Sequence, residues 1–461
     1  MPEKLLNQQG LAVAEESIEA FRAGLRGETI RPGDSQYDSA RRIWNASVDK
    51  YPGIIVRCLG AGDVIDAVNF ARENGLLVAI RGGGHNVGGR ALCDGGMVID
   101  LSRMRGVAVD AKARTARVQG GAKLGDLDRE THLYGLTAPV GVVSATGVAG
   151  LTLGGGVGWL VRKYGVAVDN VLSMQVVTAG GRLLTASAEE NPDLFWALRG
   201  GGGNFGVVVS FEFKLQPVST VLGGMILFPR ASAPAVLRFY RGFAESAPEE
   251  LTAYAGLLCA PDGSPVVGVI VCYCGDLAEG ERVIRPLREF GTPIMDAIQP
   301  MPFPAMQSLL DGAFPDGNQN YWKGMFLREL NDEAIDAMIE HANGAPSPLS
   351  AVVIEYYAGA AGRVPASETA FPHRNETYDI GILTQWPDAA DSAQNIAWTR
   401  SLATALEPYG SGAFFLNFLA ADEDDHIRAA FGRSYDRLVE VKNRYDPANF
   451  FRVNQNIKPA V

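Results

Sequence analysis

Arg81-Gly82-Gly83-Gly84-His85-Asn86 is the segment of this chain best equipped for chemistry. Successive glycines let backbone N–H groups come close to an anion, as phosphate-binding nests do. The histidine among them, one of only 5 in the chain, adds an imidazole that can hold a proton or form a bond. The segment is not a Walker loop, because Gly-Lys-Ser/Thr is missing. It also departs from a dinucleotide fingerprint, since Asp94-Gly95-Gly96 makes another turn where a helix should run. A tight turn in a sheet protein would explain the glycines alone equally well. His85, set between Gly84 and Asn86, does not suit core packing and favours the chemical reading over an idle loop histidine.

Other residues could share that chemistry. Gly147, Gly150, Gly154, Gly155, Gly156 and Gly158 would leave room for a flat ring against the backbone, or would simply pack closely. Val353, Glu355 and Tyr357 fall on one face of a strand. Glu355 and Tyr357 would then line a site, unless they are a solvated carboxylate and a core tyrosine. His132, His341 and His426 sit in polar helical contexts and read as surface residues. Cys58, Cys93, Cys259, Cys272 and Cys274 lack zinc-type spacing and read as reduced, mostly buried thiols.

The elements that must position these residues follow from periodicity and punctuation. Strands are predicted at Ile54–Arg57, Leu77–Ile80, Val98–Leu101, Val107–Asp110 and Ala116–Gln119, with helices over Ala61–Asn74 and Lys123–Tyr134. Val171–Val177 and Leu183–Ala186 form a hairpin about Gly180-Gly181. Beyond Val221, strands at Gly224–Phe228, Val266–Cys274, Ser350–Tyr357 and Tyr378–Gln385 alternate with helices at Ala235–Ser246, Glu279–Glu289, Asp332–Asn343 and Ala393–Glu407. This is an α+β pattern whose second part is an antiparallel sheet backed by helices. A closing helix from Asp422 carries Ile427, Phe431, Leu438 and Val441, and Asp446-Pro447 stops it.

With 461 residues the chain exceeds one ordinary core. A hydrophobic content of 47% with 20% charge reads as globular. The net charge of −11 argues against nucleic acid as a partner. No apolar run approaches the about 20 residues of a membrane span, and no secretory signal is read, so a cytoplasmic monomer or homodimer is expected.

Five segments, in order, resemble the berberine-bridge-enzyme-like oxidases of the vanillyl-alcohol-oxidase and p-cresol-methylhydroxylase superfamily. They are Arg81–Asn86 with Asp94–Met104; Gly147–Gly158 with Tyr164-Gly165; Asn191–Gly200 through Asn204–Val208; Thr369–Arg374; and Tyr445–Arg452 with Asn454–Ile457. The resemblance implies a two-part FAD-binding domain of the p-cresol-methylhydroxylase type over residues 1–215, its core from about 50. It further implies a substrate domain over 216–420 and a C-terminal segment, 421–461, returning to the first. The histidine matching His85 bonds the flavin in that family. Flavin-contacting roles carry over to Arg81, Gly82, Gly83, Gly84, His85, Asn86, Gly141, Val142, Val143, Ser144, Gly147, Gly150, Gly154, Gly155, Val208 and Asn456.

Departures from the family pattern matter for the chemistry. Many members add a second link from a cysteine, and here Val143 holds that place, so one covalent bond is expected, as in hydroxynicotine-oxidase-like members. Val157 and Phe415 stand where alcohol-oxidising relatives carry tyrosines, removing two phenolic bases. Amines or acidic phenols, which need little help from a base, are therefore the preferred donors, unless Glu355 or Tyr357 has become the base, which would restore alcohols as donors. His373 and Arg374 fall in a segment that borders the active site in relatives, where a cation would favour reduced flavin. Thr146, at the position tied to oxygen access, is no larger than valine and favours O₂ as acceptor. A tailoring oxidase of secondary metabolism, a dehydrogenase using another acceptor, and a flavin-binding protein without turnover are the alternatives.

Overall fold

The computed structural model describes residues 5–460 and contains three β-sheets. The first sheet has four strands, in the order Glu28–Ile30, Ile54–Arg57, Met97–Asp100 and Val78–Arg81, the last three parallel. A parallel sheet buries both faces, which explains the unbroken apolar runs. Ile54, Val56, Met97 and Ile99 pack with Val64 and Val68 of helix Ala61–Glu73 on one side. Ile55, Ala79 and Val98 pack with Tyr37 and Leu92 on the other. The Gly82–Asn86 segment thus leaves the C-terminal end of a buried parallel strand, the position from which such sheets present ligands.

The second sheet is antiparallel and has five strands, in the order Val107–Asp110, Thr115–Gln119, Val207–Lys214, Val171–Val177 and Leu183–Ser187. Its core takes in the C-terminal segment, because Leu438, Val441, Tyr445 and Ile457 join the cluster that holds Phe211 and Trp196. The expected single closing helix is two, Ile427–Phe431 and Tyr435–Tyr445. Gly432, at φ +47°, turns the chain between them through a conformation that L side chains rarely adopt.

The third sheet has eight antiparallel strands, built largely from Thr220–Pro229, Leu251–Cys259, Pro265–Tyr273, Gln319–Leu327, Ala351–Tyr356 and Tyr378–Trp386. Helices Ala233–Ser246, Asp332–Asn343 and Ser392–Leu406 cover one face. The other face looks toward the first two sheets. No helix among the described residues is long and apolar enough to cross a membrane, and every cysteine is free.

A buried ion pair ties the C-terminal segment down. Lys442 and Asp446 are both fully buried and lie 2.6 Å apart. The Lys442 ammonium also donates to the carbonyls of Asn204 and Phe451, and Asp446 accepts from the amides of Phe450 and Phe451. Breaking one partner of such a pair strands the other charge without water, at a cost of about 3–5 kcal/mol. Lys442→Met is therefore expected to lower the urea midpoint of unfolding substantially and expose residues 446–460 to protease. An unchanged midpoint would remove this pair from the fold's stability.

Candidate active site

A cavity of about 750 Å³ lies between the glycine-rich loops and the open face of the third sheet. That size is ordinary for a cofactor and substrate site. Its loop wall contains Gly82, Gly83, Gly84, His85 and Asn86, then Val142, Val143, Thr146, Gly147, Gly150, Gly154 and Val208. Among the described residues, nothing accepts from the backbone N–H groups of Gly83, Gly84, His85 and Asn86. Unpaired amides in succession are the donor set an anionic phosphate requires. The loop backbones meet directly at Gly83 and Gly147: a Cβ on Gly83 would lie 2.5 Å from the Gly147 Cα.

His85 stacks on Trp44 with ring centroids 4.3 Å apart, and its Nε2 is buried without a partner. Burial, helped by the positive charge of Lys123, pushes its pKa down to about 4. The imidazole is thus neutral at physiological pH and keeps a free lone pair. From the C-terminal segment, Asn454 and Gln455 reach the cavity, and Asn456 keeps a buried Oδ1 with no partner. Free donors, a neutral imidazole and orphaned polar atoms around one deep cavity fit a phosphate-bearing heteroaromatic cofactor.

Several expected contacts are placed elsewhere. Arg81 pairs with Asp100 beneath the loop and does not line the cavity. Ser144 gives its amide and hydroxyl to Asp311, while Gly141 accepts from Gln307. Of the glycines from Gly147 to Gly158, only Gly150 leaves open space. Asn417 fills the position above Gly154, Phe371 that above Gly155, and Gly147 abuts Gly83. Close packing therefore explains why most of these positions are glycine, while Gly147, Gly150 and Gly154 still line the cavity. Gly203, which was not singled out, also opens into the cavity with nothing within 4 Å.

The sheet wall carries the acid–base groups. Glu355 lines the cavity at 9% exposure, between Tyr254 and Asp379 on neighbouring strands. The Tyr357 hydroxyl lies 2.7 Å from Glu355 Oε2 and 2.8 Å from Asp379 Oδ2. One hydroxyl hydrogen cannot satisfy two carboxylates, so one carboxyl must carry a proton. Asp379, fully buried and facing Glu355, is the protonated one, its pKa raised by burial first and by its neighbour's charge second. Burial also pushes Glu355 up to about 7, against the hydrogen bond from Tyr357. Asp379 lay outside the sequence reading, because its partnership exists only across strands.

Tyr357 stands behind Glu355 and does not line the cavity. His373 does not line it either: it packs against Phe326 and Phe371, and burial pushes its pKa down to about 4. A neutral imidazole off the wall cannot act as the expected flavin-facing cation. Arg374 is committed to Asp169 and Thr369. Val157 and Phe415 both line the cavity as apolar surface. His132, His341 and His426 are half-buried rather than fully exposed; His426, for example, stacks on Phe414.

Comparison with known proteins accords with this geometry. A family model described as FAD binding domain matches residues 52–187, and one described as berberine and berberine like matches residues 414–458. An FAD-linked oxidoreductase of Dictyostelium discoideum is 34% identical over 452 residues, covering 97% of this chain and 98% of that protein. The (R)-6-hydroxynicotine oxidase of Paenarthrobacter nicotinovorans is 35% identical over 456 residues, covering 94% of this chain and 97% of that protein. The solved 6-hydroxy-D-nicotine oxidase from Arthrobacter nicotinovorans gives a TM-score of 0.87 at 33% identity, over 95% of this chain and 99% of that one. A Physcomitrella patens BBE-like 1 variant gives 0.89 at 26% identity, over 96% and 99%. Loop wall, sheet wall and relatives agree that the chain belongs to the berberine-bridge-enzyme-like FAD-linked oxidoreductases of the p-cresol-methylhydroxylase type.

Proposed function

We propose that this protein is an oxidase that holds FAD through a single covalent bond to His85. It takes hydride from a small amine, alcohol or phenolic donor beside Glu355 and uses O₂ as final acceptor. The observation that carries this reading is one cavity lined by two kinds of chemistry. Unpaired amides and a neutral imidazole come from its loops, and a lone carboxyl from its sheet wall. FAD, when bound, supplies a two-electron acceptor that O₂ can reoxidise.

The amides of Gly83 to Asn86 would hold phosphate, while Val142, Val143, Gly150, Gly203 and Val208 would border the rest of the cofactor. Val143 offers no sulfur for a second link. Glu355, with a pKa of about 7, is present in both protonation states near neutral pH. Its carboxylate can pair with an ammonium group and accept its proton, leaving the nitrogen lone pair free to assist hydride departure. A phenol can lose its proton to the same oxygen. The Tyr357 hydroxyl, itself bonded to protonated Asp379, holds that carboxyl in place from behind.

Two outcomes are expected. Colour should remain with acid-precipitated protein, and the flavin-bearing peptide should contain His85 and no cysteine adduct. Release of all colour into the acid supernatant would end the covalent proposal. His85→Ala should still bind FAD through the loop amides.

The second outcome concerns anaerobic flavin reduction by a working donor. Its rate should rise with pH through about 7, because only the ionised Glu355 accepts a proton. The rise belongs to the enzyme if it persists with donors of different pKa. Glu355→Gln should lower the rate by roughly 10²–10⁴-fold and abolish the step. Tyr357→Phe should move the step upward, since the hydrogen bond that favours the carboxylate is lost. Near-normal reduction by a flavin-loaded Glu355→Gln would rule out the base role.

A further inference from the structure

A second cavity, of about 460 Å³, opens on the helix side of the third sheet. That is within the range of sites for small ligands. Its floor is Leu257 and Val352, which lie side by side in register on adjacent strands and belong to the core beneath the helices. Ala342 and Trp398, from helices Asp332–Asn343 and Ser392–Leu406, add apolar walls. Trp398 Nε1 donates to the His341 carbonyl, so what its ring leaves for the cavity is apolar.

Three polar side chains around this cavity have hydrogens left to give. Arg230 is the one charged residue among those lining it, and it has no carboxylate partner among the described residues. Its Nε donates to the Val266 carbonyl at 3.1 Å, its Nη2 to the Leu258 carbonyl at 2.9 Å and its Nη1 to Asn343 Oδ1 at 3.3 Å. A guanidinium has five N–H donors, so two remain. Asn343 turns its oxygen to Arg230 and keeps its NH₂ group free. Ser347, buried in the lining, accepts from the Leu349 amide and keeps its hydroxyl hydrogen. In a chain of net charge −11, this is a cation and two donors gathered without an acid.

We propose that this cavity is a second ligand site, for a small carboxylate carrying a flat apolar body. The carboxylate takes the free N–H groups at Arg230, and the apolar body lies over Leu257 and Val352 beside Trp398. A neutral guest would displace water from the cation and give it nothing in return, whereas a carboxylate supplies both the opposite charge and the acceptors. The site is separate from the larger cavity. Arg230, Ala342, Asn343 and Trp398 line only the smaller one, and Cys259, Pro348 and Ser350 alone border both. The proposal therefore stands apart from the oxidase reading.

The test titrates 1-naphthylacetate, and its neutral counterpart 1-naphthaleneethanol, into the flavin-loaded protein by calorimetry. Wild type should bind one acid per chain, at least about tenfold more tightly than the alcohol. Arg230→Gln should remove that preference and leave the alcohol within about twofold, while Arg230→Lys keeps part of it. Because Arg230 also holds two strand carbonyls, a second variant leaves it in place. Ala342→Leu keeps a good helix former and fills the cavity from its helix wall. It should weaken both probes at least about tenfold with the urea midpoint unchanged. No saturation by about 10 mM, equal affinity for acid and alcohol in wild type, or acid binding that survives Ala342→Leu would overturn the site. A shift of the flavin absorption bands on binding would place the probe in the larger cavity and overturn it as well.

Discussion

The site depends on one contact: the backbones of Gly83 and Gly147 touching with no side chain between them. A methyl group on either would drive apart the loop that follows strand Val78–Arg81 and the loop that precedes helix Val148–Leu153. Because the loops meet so closely, they share one wall, and the amides of Gly83 to Asn86 stay free of backbone partners. Below the wall, the buried Arg81–Asp100 pair joins adjacent parallel strands and fixes where the loop leaves the sheet. His85 is then held against Trp44, with a free nitrogen in a dry setting that keeps it neutral.

The opposite wall works by a different principle. An antiparallel sheet covered by helices on one face can leave the other face to a ligand, and here that face lines the cavity with mostly apolar side chains. Polarity enters at one position. Glu355 is tolerated because the Tyr357 hydroxyl, itself bonded to Asp379, donates to it, and burial moves it to where it can exchange a proton near neutral pH. The two walls therefore divide the work between holding an anion and handling a donor. The C-terminal segment is tied to the loop side: Gln455 donates to the carbonyl of Leu416 and accepts from Asn204, while Arg90 donates to the carbonyl of Asn454.

The large elements were legible because periodicity is a local property. Strand Ile54–Arg57, strand Val107–Asp110 and helix Asp332–Asn343 have the bounds read from the sequence, and most others shift by one or two residues. Strands Leu251–Cys259 and Gln319–Leu327 were not singled out. The first mixes leucine and alanine, which suit a helix equally well, and the second carries Lys323 and Gly324 at its centre, which break its apolar run. Only pairing with neighbouring strands makes them strands.

The sequence by itself determined the family, the glycine loop around His85, and the strand face that carries Glu355. Each is written in consecutive or regularly spaced residues, so local chemistry suffices to read it. The tertiary structure alone decided which groups meet. It turned Gly154 and Gly155 into packing sites for Asn417 and Phe371, and it set His373 among phenylalanines. It also placed Asp379 beside Glu355. Whether a bare glycine faces a ligand or a neighbouring side chain depends on what a distant segment brings to it.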